Sequence, residues 1–263
     1  MNKPLILITN DDGYEAAGIQ ALARSVATFS EVYIVAPDGP RSGAAASITC
    51  NIPVSYRKLT TTSPNQHLYT STGTPVDCVK LAWEQILPRR PDLILSGINQ
   101  GDNASISIHY SGTMGAVIEG CMKGIPSLGI SLYLPRGQRY EDHPVCPEAL
   151  QALNTLCQRI LSDGLPQDVC LNINFPNRPS FQGWRLCRQA RGLWSAEWAT
   201  ASNPHGEQSF WLTGHFTDLE PEATDTDFAA LRNGFASIVP IHIDMTAHEN
   251  MNQIQLLLSP HSL

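Results

Sequence analysis

Short apolar runs, separated by stretches with helical periodicity, constrain this chain more than any other feature of its sequence. Residues 4–9 (PLILIT) and 31–36 (EVYIVA) are almost wholly apolar and bounded by turn residues, the pattern of a strand buried on both faces. Between them, Ile19, Leu22, Ala23 and Val26 recur at helical spacing over residues 14–28. Strand, helix and strand in that order imply a parallel pair joined by a right-handed crossover. The alternation continues. Residues 68–71 read as a short strand and 74–87 as a helix, with Thr74 placed to cap it and Pro75 at its first position. Residues 92–96 (DLILS), 125–132 and 169–173 read as strands, and 111–123 and 147–161 as helices. The expectation is an α/β fold: an open, mostly parallel sheet with helices on both faces.

After about residue 175 the character changes. Trp184, Trp194, Trp198 and Trp211 fall in a stretch rich in Pro, Gly and Asn, which reads as short strands and long loops. Residues 225–232 read as a short helix and 234–243 as a strand. One domain over residues 1–263 is expected, with a core to about residue 180 and a β-rich extension over 181–263.

Charge narrows the partners. The formal net charge is −7 and no basic run of five or more residues occurs, so a nucleic-acid polymer is not an expected partner. An acidic chain can still hold a phosphate ester when a divalent cation lies between the two anions. The seven cysteines form no C-x-x-C pair and read as thiols in a reducing compartment. With no signal-peptide pattern and no apolar run long enough to span a bilayer, the expected place is the cytoplasm, without a membrane partner.

Asn10, Asp11, Asp12 and Gly13 follow the first strand, at the sheet edge where open parallel sheets bind their ligands. Adjacent carboxylates repel, and burial raises that cost; a divalent ion removes it. Mg²⁺ and Mn²⁺ favour hard oxygen ligands and leave positions for water and phosphate. The same four residues could instead be a turn and a helix cap. Ser42 and Asn99, on loops expected over residues 37–46 and 97–110, offer neutral oxygens to the same edge. Ser111, Gly112 and Thr113 open an apolar helix, whose first N–H groups suit an anion or an ordinary cap. No Walker loop, G-x-G-x-x-G, G-x-S-x-G or H-x-x-x-H pattern is present, and His109 stands alone.

Together these blocks resemble the SurE family of survival proteins. LITNDDGYEAAGIQAL (7–22), VAPDGPRS (35–42), STGTPVDCVKLA (71–82), PDLILSGINQGDN (91–103) and YSGTMGAVIEG (110–120) match in order. LNINFP (171–176), residues 189–191, TDFAALRNGFASIVP (226–240) and HIDMTAH (242–248) continue the likeness through most of the chain. The resemblance implies a Rossmann-like three-layer core with a β-rich C-terminal extension. It implies a 5′/3′-nucleotidase acting on nucleoside monophosphates, with some members also cleaving short polyphosphate. One divalent ion per subunit would be held by Asp11, Asp12, Ser42 and Asn99, with Asp11, Asp12 and Asn99 also catalytic. Asn103, Ser111, Gly112 and Thr113 would face the substrate, and Asn10 and Gly43 are expected beside its phosphate. A homodimer or homotetramer with exchanged C-terminal elements is implied. Three positions depart from the family. Ser105 and Ser107 stand where a glycine and an aspartate are usual, and Ala17 stands where a proline is common. The serine changes leave room for a catalytically weak nucleotide or metal sensor of the same fold.

Overall fold

A computed structural model describes residues 3–61, 63–135, 137–202 and 206–258. Five parallel-sheet strands lie close to where the apolar runs place them: β1 (Leu5–Thr9), β2 (Glu31–Pro37), β4 (Gln66–Ser71), β6 (Ser127–Leu132) and β7 (Val169–Phe175). β3 (Tyr56–Leu59) is an edge strand antiparallel to β4, and its exposed YRKL sequence carries no buried run to announce it. β5 (Leu93–Gln100) runs four residues past the expected end. A register shift between Ser96 and Asn99 bends it there, so residues 97–100 belong to the strand and not to a loop. The rest of that supposed loop contains a 3₁₀ turn, Ser105–Tyr110.

The sheet order is β3-β4-β2-β1-β5-β6-β7-β13-β8. The last two are β8 (Trp184–Leu186), parallel to β13, and β13 (Ala236–His242), antiparallel to β7. The sheet therefore draws on both sides of residue 180. Its chain order reverses beside β1: the chain first builds outward through β2 and β4, then returns to place β5 on β1's other side. That reversal opens a crevice at the carboxyl ends of β1 and β5.

Alternation along the strands sends residues to two separate cores. Ile6, Ile8, Val32, Ile34, Leu93 and Leu95 meet α1 (Ala17–Val26) and α4 (Pro147–Asp163). Leu5, Leu7, Val35 and Ile94 meet α2 (Pro75–Leu81), and Ala116 of α3 (Gly112–Met122) joins that core. Helices cover both faces, which makes three layers. The Thr74 hydroxyl accepts the Asp77 N–H at 3.1 Å, and the Asp77 carboxylate accepts the Thr74 N–H at 2.9 Å, a reciprocal cap. The expected helix over 74–87 does not stay regular. It passes into a π-helical turn, Ala82–Ile86, before Pro88.

Beyond residue 190 the chain forms two antiparallel ribbons. β9 (Gly192–Ser195) pairs with β12 (His215–Asp218), and β10 (Trp198–Ser202) with β11 (Gln208–Leu212). They lie end to end as one arm, bent at Ala196 (φ +50°) and Gly214 (φ +121°). α5 (Asp227–Arg232) then packs on β13, and α6 (Met251–Leu257) closes the described chain. All seven cysteines are free. Among the described residues, no helix is long and apolar enough to cross a membrane.

Candidate active site

The crevice begins with a tight turn after β1. The Asn10 amide donates to the Gly13 carbonyl at 2.9 Å, and its oxygen accepts the Gly13 N–H at 3.2 Å. Asn10 is fully buried, and both of these bonds serve the turn that presents the acids. Gly13 has φ +99°, and a Cβ there would lie 3.3 Å from the Gly39 backbone. Glycine is the residue that both the angle and the approach require.

Asp11 is buried against the start of α3. The Thr113 hydroxyl donates to its Oδ1 at 2.7 Å, and the nearby backbone N–H groups of Gly112 and Thr113 favour its charged form. Gly112 leaves room for the carboxylate: a Cβ there would stand 2.9 Å from Asp11 Cβ and 3.0 Å from Oδ2. Burial pushes the Asp11 carboxyl above the ordinary carboxylate range, against the pull of these hydrogen bonds. Asp12 is half-buried, and its Oδ2 accepts the Gln100 N–H at 3.0 Å. Burial first, and the neighbouring Asp11 charge second, raise its pKa to about 6. Among the described residues, no Lys, Arg or His forms an ion pair with either carboxylate. Two adjacent acids, shielded from water and without a counter-charge, are suited to a divalent cation.

The neutral oxygens come from the neighbouring tips. The Arg41 N–H donates to the Asp11 carbonyl at 2.7 Å, which ties the loop after β2 to the β1 tip; Ser42, next in sequence, is exposed. Gly43, at φ +75°, carries the chain through that turn. The loop then lies across α3: the Ala45 N–H reaches the Tyr110 carbonyl at 3.2 Å, and a Cβ on Gly115 would fall 2.4 Å from the Ala45 carbonyl oxygen. Asn99 sits on the bent end of β5. Its Nδ2 donates to the Gly101 carbonyl at 2.8 Å, which leaves Oδ1 as the atom to offer a cation.

Asn103 is buried and held from three sides. Its N–H donates to Asn174 Oδ1 at 2.8 Å, its carbonyl accepts from Asn172 Nδ2 at 2.8 Å, and its own Nδ2 donates to Ser131 Oγ at 2.7 Å. Ser111 caps α3, accepting the Met114 N–H at 3.0 Å. The helix start thus cradles an internal anion, Asp11, as well as bordering the crevice. The expected residues are brought to one edge, but Asn10, Gly112 and Thr113 position the acids.

Sequence reading missed the groups that hold this edge in place. Asn172 and Asn174 alternate with apolar residues in β7, and two amides on one face of a buried strand are the signal that identifies them. Asp227, fully buried, accepts the N–H groups of Ser105 at 2.7 Å, Ala190 at 3.0 Å and Phe228 at 2.9 Å. Ser105 has φ +52°, which explains why glycine suits this place; its hydroxyl donates to the Ala190 carbonyl at 2.9 Å. The serine here thus ties the turn to the extension.

The sequence matches the family described as Survival protein SurE over residues 6–196, well over half of the chain. This chain belongs to the SurE family. It is 47% identical over 253 residues to the 5′-nucleotidase SurE of Phocaeicola vulgatus, covering 96% of each chain. It is 45% identical to the 5′-nucleotidase SurE of Bacteroides thetaiotaomicron, covering 96% of this chain and 95% of the relative. The crystal structure of the SurE protein from Aquifex aeolicus shares the fold, with a TM-score of 0.79 and 32% identity over 97% of this chain and 100% of that one. The Rossmann-like core with its β-rich arm is therefore a SurE fold.

The raised carboxylates of this SurE chain make a pH prediction. A carboxyl whose folded pKa lies above its ordinary value of 3.8, as at Asp12, favours the fold at low pH and loses that contribution as pH rises through about 6. A cation that replaces the proton should restore it above that pH. Manganese is therefore expected to raise the melting temperature more at pH 7.5 than at pH 5, where proton competition at Asp12 weakens apparent affinity roughly tenfold. Thermal denaturation with and without Mn²⁺ at both pH values checks this; equal shifts would refute it.

Proposed function

We propose that this chain is a metal-dependent phosphohydrolase of nucleoside monophosphates, releasing nucleoside and phosphate from 5′ or 3′ esters, with short polyphosphate as a further substrate. The observation that carries the reading is the acid pair at the β1 tip, which has no ion-pair partner among the described residues. The names of the relatives, 5′-nucleotidase SurE, support the substrate class.

One Mg²⁺ or Mn²⁺ per subunit would be held by Asp11, Asp12, Ser42 and Asn99, where it would supply Lewis-acid polarisation of the phosphoryl group and activation of water. The chain's own residues orient the rest. The Thr113 hydroxyl fixes the Asp11 carboxylate, and the Gln100 N–H fixes Asp12. Asn103 Nδ2 gives one hydrogen to Ser131 and has a second to offer a phosphoryl oxygen. Held on three sides, it meets the developing charge without rearranging. Phosphate release from a panel of nucleotides, with and without chelator, is the test. Turnover that survives chelation would overturn the metal dependence, and tight nucleotide binding without turnover would favour the sensor.

A homodimer or homotetramer belongs to the same reading. The arm exposes Trp198, Trp211 and Leu212, each at least 65% accessible, and α6 exposes Leu256 and Leu257. Trp198 and Leu212 are cross-strand partners and share one face of the ribbon, and a large exposed apolar pair of this kind is usually covered by another chain. A monomer by sedimentation at micromolar concentration would contradict this.

A further inference from the structure

Four aromatic rings run in contact from the tip of β6 to the arm. Tyr133 meets Phe228 edge-on at 6.5 Å, Phe228 stacks on Phe216 at 4.7 Å, and Phe216 meets Trp194 edge-on at 5.7 Å. All four keep part of their surface open, and Tyr133 is 37% accessible. None of them belongs to the buried apolar clusters that make up the core. The row packs the arm against α5 outside those clusters, and Tyr133 is its most exposed end.

Its position points to a ligand. Tyr133 continues the ladder after β6, donating its N–H to the Phe175 carbonyl at 2.8 Å. Side chains alternate along a strand, so Tyr133 leaves the sheet on the face of Ser131, the residue that accepts from Asn103 at 2.7 Å. Phe228 directly follows Asp227, whose carboxylate holds the Ser105 N–H at 2.7 Å. Both rings at this end of the row are thus tied to residues 103–105, the segment that carries a phosphate-side residue of the proposed site. An exposed aromatic face beside a phosphate site has the chemistry to receive a base, because every nucleobase presents a π-face.

We infer that the exposed ring of Tyr133, buttressed edge-on by Phe228, is the surface on which the nucleobase stacks, so that this site recognises the base of its substrate as well as the phosphate. The inference rests on the nucleotidase reading above and adds its specificity determinant. Stacking does not read hydrogen-bonding edges, so all bases are accepted and the larger purines gain most.

The test compares kcat/KM for adenosine 5′-monophosphate with that for ribose 5-phosphate, which has the same sugar phosphate and no base. The wild type should prefer the nucleotide. In Tyr133→Leu the ratio should fall roughly tenfold, the size of one base–aromatic stack, with the change carried by KM. Tyr133→Phe keeps the ring and should keep the ratio, which a merely structural role for the hydroxyl would not. A Tyr133→Leu ratio equal to that of the wild type overturns the platform. So does a loss of the ratio in Tyr110→Leu alone, Tyr110 being another exposed aromatic beside the crevice. A wild type that hydrolyses neither ester refutes the nucleotidase reading instead. The platform is then judged by the same ratio measured as binding affinity for the two esters in the presence of Mn²⁺.

Discussion

Asp12→Asn should reduce phosphate release from nucleoside monophosphates by about a hundredfold or more, while leaving the metal-free protein at least as stable as the wild type. The two effects have one cause. Asparagine keeps the shape and can still accept the Gln100 N–H that Asp12 accepts at 3.0 Å. It removes the charge that burial and the Asp11 carboxylate disfavour, the same forces that raise Asp12 to about 6. Without a cation that charge costs stability at neutral pH, and with a cation it contributes affinity. Steady-state assays in Mg²⁺ and Mn²⁺, paired with melting curves in chelator, separate the two. Near-normal turnover, or a metal-free variant markedly less stable than the wild type, would count against the pair as a metal site.

Gly18→Ala is expected to destabilise the fold by roughly 2–4 kcal/mol, although it places a better helix former inside α1. Helix propensity alone favours alanine by up to about 1 kcal/mol. The contact decides otherwise: a Cβ on Gly18 would lie 2.0 Å from the carbonyl oxygen of Ile98, a backbone atom that no rotamer can move aside. Either α1 lifts from the sheet or the bent end of β5 shifts, and Asn99 is the next residue along it. Lower activity should therefore accompany the lower stability. Urea denaturation and the nucleotidase assay measure both, and a variant as stable as the wild type would show that β5 does not approach α1 as described.

What the sequence made legible follows from the range of the forces involved. The runs that became β1, β2 and β7 are apolar because both faces are covered, and that is written locally. The acid pair was legible because neighbouring carboxylates at a strand tip demand an explanation. Long-range pairing left no such mark. Nothing in residues 236–242 says that they return antiparallel to β7, and the exposed β3 has no buried face to give it periodicity. β5 was cut short because Gly97, at φ +131°, looks like the start of a loop; in the fold a Cβ there would lie 2.1 Å from the Ile130 carbonyl oxygen. The part Asn10 plays in the turn was not legible, because its amide closes on Gly13 through backbone groups that any residue supplies. Asp227 escaped notice because its partners, Ser105 and Ala190, are distant in sequence and bond through backbone N–H groups that any residue supplies.

A crystal grown at neutral pH, soaked in manganese and measured at the metal's absorption edge, addresses the site itself. One anomalous peak per subunit is expected, within coordination distance of carboxylate oxygens from both Asp11 and Asp12 and of the Asn99 and Ser42 side-chain oxygens. A featureless map at the β1 tip, with manganese present in the drop at millimolar concentration, would contradict a cation-bridged phosphatase.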